Sequence, residues 1–447
     1  MNSEKGGTLF PRNENENQNQ GLTVRTPHTT SALALTIALA TLASGCTQSN
    51  ADERAEEPSP TTTTQAPQEQ PARTARIAVT HDEGVTYLDA TTLDVIGSTP
   101  ATGFVRLNPA GDNRHLFLTT QGGFELLDTG TYGQAHGDHA HYYTQNPDTT
   151  GVVRSAEKPG HVVVHDGYTA LFDDGTGRVD VYETSAITED PIRTWQAPHA
   201  HHGVAIARAD GSLIVTVGTE EERTGVAIID EADNTIAETD QCPGVHGEAA
   251  AANGRIVVGC QDGIVIIDGD TITKVDAPDT YGRIGNQAGT HTSPIVLGDY
   301  KTDPDAELER PTRISLTNTD TAELTLVDLP SSYSFRSLER DDDGNALVLG
   351  TDGNLHIIDP VTATITASVP VTQPWEEPTE WQQPRPTVRY LDGMAYVTDP
   401  ATKRIVAVDT VDATIWKETT LDITPNEISG VTGAAPTTHD HEGHDHN

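Results

Sequence analysis

The sequence predicts an all-β protein, a single β-propeller of eight four-stranded blades. Three observations carry this. Short runs of Val, Ile, Leu and Thr alternate with Asp-Gly and Asn-Gly turns, as in "GRIVVGCQDGIVIIDGDTITKVDAPD" (254–279) and "GNALVLGTDGNLHIIDPVTATITASVPV" (344–371). Each such stretch reads as strand, tight turn, strand ending near Asp, turn, strand, which is the meander of one blade. A proline then recurs after the outer strand, at 159, 198, 243, 278 and 330, at spacings that suit one blade each. No amphipathic helix of convincing length interrupts the pattern. Plentiful Gly (39) and Pro (27) with few aromatics fit a fold of short strands and turns. The count is eight units, with seven still open.

The chain has 447 residues. Residues 31–43, "SALALTIALATLA", form an apolar run too short to span a bilayer and of the size of a signal-peptide core. It leads into "ASGC", a lipobox-like ending with Ala43 where Leu is usual, and Cys46 is the expected lipidation site and mature N-terminus. Residues 1–45 are thus expected to be a lipoprotein signal peptide, with translation starting either at Met1 or near Val24. Residues 46–74, rich in Pro, Thr and Glu without apolar periodicity, read as a disordered, lipid-anchored tether. The propeller follows over 75–433, and 434–447 is a disordered tail containing "THDHEGHDHN". The first unit, 75–100, lacks an innermost strand. "ITPNEISGVTG" (423–433) is placed to supply it and latch the ring.

Lys and Arg total 27 against 67 Asp and Glu, a formal charge of −40. Such a surface repels nucleic acid and anionic lipid headgroups and gathers cations. Apart from Cys46, the cysteines are Cys242 and Cys260, a pair expected to form a disulfide in an exported protein, with thiolate metal ligation as the alternative.

The repeat gives the histidines their meaning. The innermost strand of every blade begins at one face beside the central channel, so residues just after the shared proline converge there. In three successive units this place holds His161, His202 and His246. Three imidazoles plus one further ligand make the four-coordinate site that Zn²⁺ favours. His199 and His201, in "PHAHHG", could replace or extend His202. Only Met1 and Met394 are present, which argues against a thioether site for Cu(I). A second group, His136, Asp138, His139 and His141 in "HGDHAH", falls inside an insertion at 129–147, read as a long functional loop. It is expected to act as a mobile arm that completes the rim site or hands its ion onward, or else as a separate second site. The tail's His439, His441, His444 and His446 could capture zinc.

Several phrases together, "HGDHAHYY" (136–143), "KPGHVVVHDGYTALF" (158–172), "APHAHHGVA" (197–205), "CPGVHGEA" (242–249), "GNQAG" (285–289) and "PNEISGVTG" (425–433), resemble the AztD family of extracytoplasmic zinc chaperones. The resemblance covers roughly 75–433. It implies a propeller that binds Zn²⁺ and passes it to the solute-binding protein of an ABC zinc importer, without enzymatic activity. Carried over by motif, the metal-associated residues are His136, His139, His141, His202 and His246, to which the repeat adds His161. "PHAHHG" departs from the simpler family pattern by an extra His, and the lipobox implies a membrane-tethered form. Two other readings stay open. One is a metal-dependent propeller hydrolase or lactonase with Glu248 as base. The other is a metal-free envelope scaffold, which leaves the histidine placement unexplained.

Overall fold

The structure, a computed structural model, describes residues 66–436. The expected signal peptide, Cys46 and the four tail histidines therefore lie outside the described residues. The described residues form one compact unit. Eight antiparallel meanders of four strands follow one another along the chain, as the repeat predicts, and the fifth also carries the short strand Gly282–Arg283, paired parallel with Asp262–Asp268. Their inner strands neighbour one another in sequence order around a channel, from Arg106–Pro109 through Thr387–Leu391 and back to Ile428–Val431.

The ring is closed by the last strand. Ile428–Val431 pairs antiparallel with Arg76–Val79 and becomes the inner strand of blade 1, beside Gly84–Asp89 and Val95–Pro100. The missing strand of the first unit is supplied by the C-terminal segment.

The burial pattern explains why these sequences take these places. Middle strands are covered on both faces by neighbouring blades, so they read as continuous apolar runs, such as the fully buried Ile256–Cys260. Outer strands alternate; Thr271–Asp276 and Glu323–Asp328 bury only every second residue or fewer. Their Thr, Lys and Glu side chains also blunt exposed sheet edges. Between blades the cores are aliphatic: Ile206, Ile214 and Val226 of blade 4 pack on Val258 and Val265 of blade 5. Few aromatics are needed because adjoining twisted sheets are filled well by β-branched side chains.

Two expectations change here. The insertion at 129–147 is an ordered hairpin, not a mobile loop: Thr131–His136 pairs with His139–Thr144. Its two-residue turn is Gly137-Asp138, with Gly137 at φ +63°, the conformation that a II′ hairpin turn requires at its first position. Gln68–Gln70, within the segment read as an unstructured tether, adds to this hairpin as a third strand. The arrangement is held at its root by Arg76, whose guanidinium donates to the carbonyls of Thr129 and Gln145.

Candidate metal centre

Blades 3, 4 and 5 each bring one imidazole to the channel mouth. His161 lies near the start of the inner strand Pro159–His165, and His246 opens the inner strand His246–Ala250. His202 sits in the connection just before Ala205–Ala207. The Nε2 atoms of His161 and His202 are 3.3 Å apart, and those of His202 and His246 are 3.1 Å apart. One nitrogen from each of the three lies within 4.8 Å of the others. Zn–N bonds of about 2.0–2.1 Å at tetrahedral angles place ligand nitrogens about 3.3–3.4 Å apart. The observed spacing fits that requirement.

The far side of two of the rings is hydrogen-bonded, and a carboxylate lies near the third. His202 Nδ1 is 2.5 Å from Asp174 Oδ2, His246 Nδ1 is 2.6 Å from the Gly285 carbonyl, and His161 Nδ1 is 3.9 Å from Glu248 Oε2. An acceptor at Nδ1 holds the proton there and leaves the Nε2 lone pair free for a metal, the usual support around metal-bound histidine. Burial, then His246 and His202, holds His161 well below the ordinary imidazole range. Burial, then His202, pulls His246 down to about 3. Both rings are therefore neutral at physiological pH, the form that ligates. Burial pushes Glu248 up to about 8. The mouth is a cavity of about 770 Å³ whose wall also includes Arg106, Arg283, Lys301 and Trp381.

Cys242 and Cys260 form a disulfide, which rules out the alternative of thiolate ligation for this pair. The bond ties the start of the Pro243–His246 turn to the neighbouring strand Ile256–Cys260, and so anchors His246.

The other candidates separate cleanly. His201 is buried, with Nδ1 at 2.9 Å from the His199 carbonyl and Nε2 at 3.0 Å from Thr216 Oγ1, and its ring packs on Phe172. It is a structural residue, not a ligand. His199 is exposed and outside the cluster. Of the three histidines in "PHAHHG", only His202 joins the site.

The hairpin carries a second trio. His136 Nδ1 is 3.3 Å from His139 Nε2, which is 3.2 Å from His141 Nε2. His136 and His139 are direct cross-strand partners and His141 is two residues on, so all three project from one face. His141 Nδ1 is 2.7 Å from Glu69 Oε1, supplied by the added strand. Asp138 stands 3.2 Å from His139 Nδ1, on the side away from the other imidazoles, and so lies outside the trio. The hairpin leaves blade 2 at Asp128, opposite His115, whereas Arg106 at the other end of that blade lines the rim cavity. It therefore departs from the face opposite the rim, and the two trios form separate clusters. The hairpin does not complete the rim site.

Asp174, Glu69 and the Gly285 carbonyl were not singled out from sequence. For Asp174 a signal existed: "FDDGTG" is the turn between the second and third strands of blade 3, which returns to the same face as the shared proline.

No protein-family model matches the chain. Among curated proteins, the zinc chaperone AztD of Citrobacter koseri is 26% identical over 386 residues, covering 82% of this chain and 89% of that protein. The chain is similar to that zinc chaperone over most of its length. The crystal structure of Citrobacter koseri AztD superposes with a TM-score of 0.71 at 23% identity, over 82% of this chain and all of that one. The apo AztD structure from the same organism gives 0.70. The dihydro-heme d1 dehydrogenase NirN shares the fold more distantly, with a TM-score of 0.53 and 11% identity over 82% of this chain and 76% of that one. The chain thus has the same fold as AztD along most of its length.

Proposed function

We propose that this chain binds Zn²⁺ at the channel rim outside the cytoplasm and delivers it to the zinc-specific solute-binding protein of an ABC importer. The observation that supports this best is the rim trio: His202 Nε2 stands at zinc-ligand spacing, 3.3 and 3.1 Å, from the Nε2 atoms of His161 and His246, with Nδ1 of His202 and His246 already engaged. His161, His202 and His246 are the proposed ligands, and the relative's name, zinc chaperone, agrees with zinc as the cargo. Three protein ligands leave one position for an incoming group, so the ion can be taken over by ligand exchange without first being set free. The strongly acidic chain gathers cations. Residues 1–45 act as the leader, and a lipid on Cys46 tethers the protein to the membrane.

Glu248 bears on the hydrolase alternative. It sits behind His161, on the Nδ1 side, whereas the ion faces Nε2. A base for metal-bound water belongs on the ion's side, so this placement favours a supporting role.

The test is transfer. Zinc-loaded protein is mixed with the cognate solute-binding protein and an excess of competing chelator. Zinc is expected to reach the acceptor faster than the chelator can intercept it. Arrival only at the rate of free-solution exchange would remove the delivery reading.

A further inference from the structure

Acidic residues outnumber basic ones 67 to 27 in this chain, yet three cations converge beside the rim histidines. Arg283 and Lys301 stand directly opposite one another in a short antiparallel bridge, their backbone N–H groups donating to each other's carbonyls at 2.9 and 3.0 Å. Residues paired in this way have Cα atoms about 5.5 Å apart and side chains on one face of the ribbon. Both line the mouth cavity of about 770 Å³ together with the three imidazoles. Arg283 is held next to His246: its Nη1 donates to the Gly244 carbonyl at 3.0 Å, and a Cβ on Gly285 would stand 3.1 Å from its Nε and Nη2. Arg223 comes in from blade 4, its backbone carbonyl accepting from Gly244 N. Burial, then the neighbouring Arg283, lowers Arg223 below its ordinary range, and its Nη1 is buried without a partner.

Like charges directly opposite one another destabilise a sheet, and the fold does little to offset these. Among the described residues no carboxylate lies within ion-pair distance of Arg223 or Arg283, and Lys301 Nζ is 3.7 Å from Asp299 Oδ2. The carboxylates close by are already used. Asp299 Oδ1 accepts from Gly285 N and Asn286 N, and Asp174 is bonded to His202 Nδ1 and Gly203 N.

We propose that the channel mouth binds an organic carboxylate, gripped by Arg283 and Lys301 with Arg223 behind them. A guanidinium fork matches the two oxygens of a carboxylate, and the lysine adds a compact positive charge. The wall also carries Phe335 and Trp381; Trp381 is 47% exposed and packs edge-on against Phe104 at 4.9 Å between ring centres. These aromatic faces suit a carbon skeleton, which an inorganic anion lacks. The carboxylate belongs either to a free small dicarboxylic acid or to an Asp or Glu side chain of the protein that receives the ion. The inference goes beyond the zinc-delivery reading and does not rest on it, because the cations and the aromatic wall are present whatever the imidazoles hold.

The experiment titrates the metal-free full chain by calorimetry, at constant ionic strength, with succinate, with a capped Glu-Asp-Glu peptide and with inorganic phosphate. At least one of the two carboxylate probes is expected to bind more tightly than phosphate. Tighter binding of succinate assigns the site to a free acid, and tighter binding of the peptide assigns it to a partner's side chain; either result supports the site. R283Q should weaken the carboxylate by at least about tenfold, the scale of a lost charge-assisted hydrogen bond. R283K keeps the charge but loses the fork, so its affinity should fall in between. K417Q removes the same charge from the exposed outer strand of blade 8 and should leave binding unchanged. Binding of neither carboxylate, phosphate binding as tightly, or equal losses in R283Q and K417Q would overturn the proposal. Should R283Q not fold, K301Q set against K417Q makes the same comparison. Zinc affinity is measured separately on the same proteins, so failure of this site and failure of the zinc reading are distinct results.

Discussion

The two histidine trios offer nearly the same nitrogens at nearly the same spacing, yet they are built in opposite ways. The hairpin trio is local: six residues, one tight turn, one face of a two-stranded ribbon. The rim trio draws one residue from each of three blades, at separations of 41 and 44 residues. The local site is the conspicuous one in sequence and the exposed one in structure. The dispersed site is the more deeply set, with acceptors behind His202 and His246, Glu248 near His161, and a disulfide beneath one ligand. Clustering in sequence makes histidines easy to find. Placement by a rigid ring makes them a preorganised metal site.

The largest expected effect follows directly. H202A/H246A should lower affinity for the tightest-bound zinc by more than about a hundredfold, since two of three ligands go. H136A/H139A should leave that tightest equivalent in place. Chelator-competition titration of both proteins checks this, and equal losses would erase the distinction between the sites.

Next is the disulfide. Closing a loop of 18 residues contributes roughly 3 kcal/mol to stability. C242S/C260S should lower denaturant stability by about that amount and weaken rim zinc, with hairpin zinc unaffected.

The acid response sharpens the comparison further. His161 and His246 have folded pKa values below the ordinary 6.5, so the unfolded chain binds more protons as pH falls through that value. The stability of the apo protein is therefore lost on acidification below pH 6.5. Glu248, raised from 4.5 to about 8, acts the other way: the folded form holds the proton, and stability grows as pH falls from 8 towards 4.5. The two trends offset one another in the wild type. E248Q should be more stable than wild type at pH 7 by about 1–3 kcal/mol and should lose stability more steeply towards pH 5. Thermal melts of the metal-free proteins across pH 5–8 measure it; parallel curves would contradict the assignment.

Smallest is the contribution of the carboxylates behind the ligands. D174N should weaken rim zinc by about 10–100-fold. E69Q should weaken hairpin zinc by less, because Glu69 sits on an exposed surface where water competes for the same ring nitrogen.

The fold was largely legible because a propeller repeats its instructions. Turn dipeptides and the shared proline marked blade after blade, and aligning them brought His161, His202 and His246 together without a structure. What escaped has physical reasons. Which histidine of "PHAHHG" faces the mouth depends on how a short irregular connection turns, and Thr216 and Phe172 capture His201 from inside blades 4 and 3. The hairpin was read as a loop because its strands carry His, Gly and Tyr rather than alternating aliphatics. Its Gly-Asp turn between matched flanks was the available signal. Glu69 had none, since its strand exists only by pairing with a partner more than seventy residues away.

The closing strand also sets an order of events during biosynthesis. Blade 1 joins residues such as Thr80 and Glu427, 347 positions apart, and cannot be completed until the far end of the chain has emerged. Blades 3 to 5 are contiguous, so the rim histidines can gather on a half-built ring. The three rim imidazoles therefore do not need the closing seam in order to come together. Ile428–Val431 can pair with Arg76–Val79 only after every other blade has been synthesised.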